Sequence, residues 1–175
     1  HIPNLTVISP KDATELKCAI ETALSLNSPV AIRYPNGTQE EFATKTQLNS
    51  SLKWEVLNAQ NSNNVILAVG PRMINLAKKV NEQLENKVTI VNARVIKPLD
   101  SDLLLSIKDK NVITLEENVK RGGFGSSVLE FYNENGLNVN VNIFAVNNEF
   151  TCHASVNEQL EINGITIDNI IKKLQ

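Results

Sequence analysis

Four strand-like runs separated by amphipathic stretches constrain this chain most. Val65-Ile66-Leu67-Ala68-Val69 is apolar at every position, the pattern of a central strand covered on both faces. Val88, Ile90 and Val91 form a second run, Val112-Ile113-Thr114-Leu115 a third, and Val139 to Val146 a fourth. Between the first two, Met73, Ala77, Val80 and Leu84 recur at helical spacing. Between the next two, Leu103, Leu104 and Ile107 make a shorter apolar stripe. Strand, helix, strand in this order is the βαβ unit, so the sheet is at least partly parallel.

Local signals set the element boundaries. The segment Val95-Ile96-Lys97-Pro98-Leu99-Asp100 reads as the close of the second strand and the opening of a helix. Pro98 lacks a donor and Asp100 can cap orphan amides. Gly122-Gly123-Phe124-Gly125-Ser126 turns into a helix carrying Val128, Leu129 and Tyr132. Ser155 and Glu158 form a capping box. Thr166 caps a last helix with Ile167, Ile170, Ile171 and Leu174 on one side. Residues 64–175 are thus expected to form a three-layer α/β/α domain around a mixed, mostly parallel sheet.

The N-terminal part reads differently. Leu5 to Ile8 is a short strand, and Ser9 is placed at a helix N-cap, with Pro10 first in the helix and Asp12 reaching back. Leu16, Ile20, Ala23 and Leu24 would form the buried face of that helix, and Val30 to Pro35 the next strand. Residues 1–35 make one more βαβ unit, too small to bury its own core. Residues 36–63 are rich in Thr, Gln, Asn and Ser, with sparse apolar anchors, and read as a linker. Within it, Trp54-Glu55-Val56-Leu57 has the character of a short strand.

Composition excludes several classes. A net charge of −2 over 175 residues argues against a nucleic-acid partner, which selects a basic face. No apolar run approaches the roughly 18–20 residues of a membrane span, so no membrane partner is expected. No basic and apolar leader opens the chain. The two cysteines, Cys18 and Cys152, lie far apart, with no Cys/His cluster for zinc. They read as free thiols in a reducing compartment, and a cytoplasmic location is expected. The absence of an initiator Met suggests an excised piece of a longer protein.

Several residues invite chemistry. Arg33 stands at the carboxyl end of a strand, where a guanidinium can fork onto a phosphate or pair with a surface carboxylate. The residues alone leave both open. The glycines at 122, 123 and 125 precede a helix, where amides can hold an anion. They lack the dinucleotide spacing, and a tight turn with close packing is the preferred reading. Glu116 and Glu117 are adjacent, so in a strand they point to opposite sides. A helix cap or an inter-domain salt bridge suits them better than a paired acid–base site. His153 is assigned no catalytic role, and Ser126 and Ser127 have no basic partner for a hydrolytic triad.

Three strings carry a resemblance in order along the chain. They are Ala31-Ile32-Arg33-Tyr34-Pro35-Asn36-Gly37, then Asn92-Ala93-Arg94-Val95-Ile96-Lys97-Pro98-Leu99-Asp100, then Glu116-Glu117-Asn118 with Gly122-Gly123-Phe124-Gly125-Ser126. Together they resemble the C-terminal part of the 1-deoxy-D-xylulose-5-phosphate synthases, within the thiamine-diphosphate-dependent transketolase-like enzymes. The resemblance implies that residues 1–35 end a pyrimidine-binding domain and that residues 64–175 are a transketolase C-terminal domain. For an intact enzyme it implies condensation of pyruvate with glyceraldehyde 3-phosphate, with loss of carbon dioxide, on thiamine diphosphate and Mg2+. A homodimer is implied, built with the remainder of the chain and a second subunit. Arg33 matches an arginine that the resemblance assigns to the substrate phosphate, while Asn36 stands where a second arginine is usual. Ala154 likewise replaces a glycine after His153. The catalytic groups and the cofactor and metal motifs lie upstream of residue 1 in that family. This piece alone is therefore expected to hold no catalytic residue, cofactor or metal. A transketolase, a 2-oxo acid dehydrogenase β subunit and a non-enzymatic α/β binding module are the alternative readings.

Overall fold

The computed structural model describes residues 2–36, 41–42, 47–151 and 153–175. Gly37 and Cys152 lie outside the described residues. The chain opens with β1 (Thr6–Ile8), α1 (Ala13–Ser25) and β2 (Val30–Ile32), and β2 pairs parallel with β1. After a long connection come β3 (Glu55–Asn58), β4 (Asn64–Ala68), α2 (Pro71–Gln83), β5 (Thr89–Asn92) and β6 (Val95–Lys97). Then follow α3 (Ser101–Ser106), β7 (Asn111–Val119), α4 (Phe124–Glu134), β8 (Val141–Val146), α5 (Val156–Ile162) and α6 (Ile167–Leu174).

The main sheet has the order β3-β5-β4-β7-β8. Strands β5, β4, β7 and β8 are mutually parallel, and β3 joins antiparallel at the β5 edge. The mixed, mostly parallel sheet expected from the apolar runs is therefore present. So is the short strand expected near Trp54, displaced by one residue.

Alternation along β4 explains why the sheet is covered twice. Val65, Leu67 and Val69 face one core with Leu104, Phe124, Val128 and Tyr132. Ile66 and Ala68 face the other, with Met73, Ile74, Ala77, Val80, Ile170 and Leu174. Thus α3 and α4 cover one face and α2 and α6 the other, each through the residues just named. Burial of one such aliphatic side chain contributes about 1.5–3 kcal/mol. The Tyr132 hydroxyl donates to the Leu104 carbonyl at 3.0 Å and ties α4 to α3. Burial pushes that hydroxyl's ionisation above its ordinary value.

Three local readings need correction. The N-cap of α1 is Asp12, whose side chain accepts from the Glu15 amide, and the helix starts at Ala13 rather than Pro10. Asp12 wins because its short carboxylate reaches the amide of N3 at 2.7 Å. The buried face of α1 is Glu15, Ala19 and Thr22, whereas Ile20 and Leu24 are exposed, Leu24 at 83%. Leu129 is also exposed on α4. Finally, Val95–Lys97 does not continue β5. It leaves the main sheet and pairs antiparallel with β1, giving a second sheet of order β2-β1-β6. The two sheets are thereby joined through the turn at Ala93-Arg94.

Candidate functional site

The carboxyl ends of β2 and β4 open on one side of the molecule, where ligands of open α/β sheets sit. A cleft of about 220 Å³ lies there, lined by Ser9, Arg33, Tyr34, Pro35, Val69, Gly70, Pro71, Arg72 and Glu117. Backbone pairing places its walls. The Arg33 amide donates to the Ile8 carbonyl at 2.8 Å, extending the β1–β2 ladder by one bond. The Val69 amide donates to the Leu115 carbonyl at 3.0 Å, which brings the end of β4 beside β7. Pro71 then starts α2, its fixed φ suiting the first helical position and its missing N–H costing nothing there.

Arg33 is exposed, and its side chain lines the open cleft. One guanidinium nitrogen donates to the backbone carbonyl of Glu117 at 3.3 Å. It forms no salt bridge with a carboxylate among the described residues. Tyr34 and Pro35 also border a larger hollow of about 530 Å³ that reaches Leu16 and Asn36.

The two adjacent glutamates divide as strand geometry requires. Glu116 is buried and accepts from the amides of Phe124 and Gly125, both at 2.8 Å. It caps the amino end of α4, where the helix dipole favours an anion. Glu117 points the other way and pairs with Arg72 at the cleft. The glycine turn is therefore filled from within by Glu116, leaving its amides no anion to seek. Ser126 and Ser127 donate to the carbonyls of Lys120 and Gly123. His153 is exposed and lines neither hollow.

Burial pushes the Glu116 carboxyl above its ordinary value, opposed by the two amides and by Arg33. A raised folded-state value means the contribution to stability is greatest at low pH and is lost as pH rises through it. Glu116→Gln sets an NH2 group against one of the two amides and should cost about 1–3 kcal/mol. The gap between parent and variant in urea unfolding should narrow as pH rises from about 4 to about 7. A gap that widens over that range would contradict this account.

The largest surprise is a buried ionic cluster between α1, β3 and the end of β5. Lys11, Asp12, Glu15, Glu55, Asn92 and Arg94 are all at most 4% exposed. Lys11 Nζ lies 2.9 Å from Asp12 and 3.7 Å from Glu55, and Arg94 Nη1 lies 3.1 Å from Glu15. Asn92 Nδ2 donates to both oxygens of Glu15, at 3.0 and 3.1 Å. In the sequence, Asn92 and Arg94 stand within the second of the three strings, and the only local sign of the cluster is an arginine two residues past an apolar strand.

Among the described residues no group of three or more His, Cys, Asp or Glu is placed to hold a metal ion. The amides at the glycine turn are already taken. No helix of the described residues is long and apolar enough to cross a membrane.

Comparison with known proteins agrees with this architecture. Residues 52–170 match the family described as transketolase, C-terminal domain. The chain is 41% identical over 183 residues to 1-deoxy-D-xylulose-5-phosphate synthase of Listeria monocytogenes, covering 99% of the chain and 30% of that protein. It is 36% identical to the same enzyme of Clostridium tetani, covering 99% and 29%. The chain thus spans under a third of the length of these relatives. Among solved structures it resembles a split-gene transketolase described as an inactive β4 tetramer. There the TM-score is 0.86 at 27% identity, over 99% of this chain and 58% of that one. The strand order, the two covered faces and the matched span together place the chain in the transketolase C-terminal domain family.

Proposed function

We propose that the chain is the C-terminal part of a 1-deoxy-D-xylulose-5-phosphate synthase and that Arg33 binds the phosphate of the aldehyde substrate. The single observation that carries the site is the exposed Arg33 guanidinium on an open cleft at the strand ends. In this reading residues 1–35 end a pyrimidine-binding domain, residues 36–63 link it onward, and residues 64–175 form the C-terminal domain. The reaction joins pyruvate to glyceraldehyde 3-phosphate with loss of carbon dioxide. Thiamine diphosphate supplies the carbanion chemistry and would be held, with Mg2+, by the remainder of the parent chain. This segment orients the phosphorylated end of the aldehyde and supports a homodimer in the cytoplasm.

A guanidinium–phosphate contact contributes roughly 1.5–3 kcal/mol per charge-assisted bond. In the parent enzyme, Arg33→Ala should raise KM for glyceraldehyde 3-phosphate about 10- to 100-fold and leave KM for pyruvate within about twofold. Equal effects on both substrates would remove the assignment. Assaying the parent with glyceraldehyde 3-phosphate against lipoamide or a ketose donor separates this reading from the dehydrogenase and transketolase readings.

A further inference from the structure

The cleft beside Arg33 contains a second guanidinium, that of Arg72. Arg72 is the second residue of α2 and lines the same 220 Å³ space. Its side chain is 38% exposed, and its partner among the described residues is the Glu117 carboxylate, reached through Nη1. A guanidinium carries five N–H donors in a planar fork, so one such contact leaves donors available on its other edges. Glu117 meets both arginines. Its carboxylate holds Arg72, and its backbone carbonyl receives Arg33. The two cations are thus held on one cleft by a residue that neutralises only one of them.

A third residue shares this space. Ser9 lines the cleft, and a serine hydroxyl is a donor that can serve an anion. Asn36, the other polar group close in sequence to Arg33, lines the neighbouring hollow instead.

We propose that Arg72 is the second arm of the phosphate clamp, closing on the anion from the helix side while Arg33 holds it from the strand side. This rests on the assignment of Arg33 to the substrate phosphate. Glu117 then acts as a competitor: it pairs with Arg72 and repels the arriving phosphate. Its removal should therefore help binding, whereas removal of Arg72 should harm it.

The test is steady-state kinetics of the full-length parent enzyme with variants Arg33→Ala, Arg72→Ala and Glu117→Gln. Glyceraldehyde 3-phosphate and unphosphorylated glyceraldehyde serve as alternative acceptors. We expect Arg72→Ala to raise KM for the phosphorylated acceptor about 10- to 100-fold and to leave kcat/KM for glyceraldehyde within about twofold. Glu117→Gln should lower KM for the phosphorylated acceptor, because a carboxylate is lost from the cleft. If Arg72 mattered only through its ion pair with Glu117, both variants would impair both acceptors alike, and the proposal fails. If Arg33→Ala raises KM for the phosphorylated acceptor but Arg72→Ala does not, the second arm is wrong and the Arg33 reading survives. If neither variant distinguishes the acceptors, both fall.

Discussion

Arg94→Met should lower the unfolding free energy by about 3–5 kcal/mol, a large part of the roughly 5–15 kcal/mol that holds a domain folded. Arg94 is 2% exposed, donates from Nε to the Lys53 carbonyl at 2.8 Å, and lies against Glu15. Methionine fills similar volume but leaves the Glu15 carboxylate without its guanidinium, in a place that water does not reach. The penalty is the unpaired charge rather than the lost attraction. The cluster's other members cannot fully substitute, since Lys11 Nζ stands 3.8 Å from Glu15. Glu15→Gln in the same chain removes the stranded charge while keeping an acceptor for the Lys11 amide, which donates to Glu15 at 2.7 Å. The double variant should therefore be more stable than the sum of the two single losses predicts, by about 1–3 kcal/mol of coupling. Urea midpoints at unchanged slope measure this. Strictly additive losses would show that the two residues do not act as a pair.

The second large effect is at the glycine turn. Gly123→Ala should cost about 2–4 kcal/mol, combining overpacking with loss of a helix cap. A Cβ there would lie 2.4 Å from the Val119 carbonyl oxygen and 2.6 Å from Glu116 Oε2. The first contact is backbone and cannot move aside. The second pushes the Glu116 carboxylate off the amides of Phe124 and Gly125, so the amino end of α4 loses both acceptors. Gly125 is equally hemmed in, by Thr114 Oγ1 at 2.5 Å and Ile143 at 2.7 Å. Both neighbours are β-branched and stiff at χ1. Gly122 provides the contrast: it has φ +70 and nothing within 4 Å of a built Cβ. Gly122→Ala should therefore cost only the left-handed backbone term, about 1–2 kcal/mol. Thermal unfolding of the two alanine variants should rank Gly123 well below Gly122. The reverse order would mean that backbone conformation, not close packing, is what the turn requires.

The site divides along similar lines. Strand-end placement of Arg33 and the opposed directions of Glu116 and Glu117 follow from period-two geometry, which neighbouring residues encode. That Arg72 meets Glu117 across 45 positions does not, because nothing near either residue marks the other. The exposed Ile20 and Leu24 show the opposite failure. Their spacing is helical and apolar, yet α1 turns Glu15 inward because Arg94 and Asn92 wait there.

By itself the amino-acid order determined the elements whose causes lie within a few residues. The continuous run at Val65–Val69 required a doubly covered strand. Asp100, Ser155 and Thr166 set the starts of α3, α5 and α6 because each cap bonds an amide three residues on. Tertiary structure alone decided the destination of Val95–Lys97, the inward face of α1 and the cluster around Arg94. Each depends on partners some 80 positions away, such as Arg94 and Glu15, which are 79 apart. A buried charge is tolerable only where folding delivers its counter-charge, and no local pattern announces that delivery.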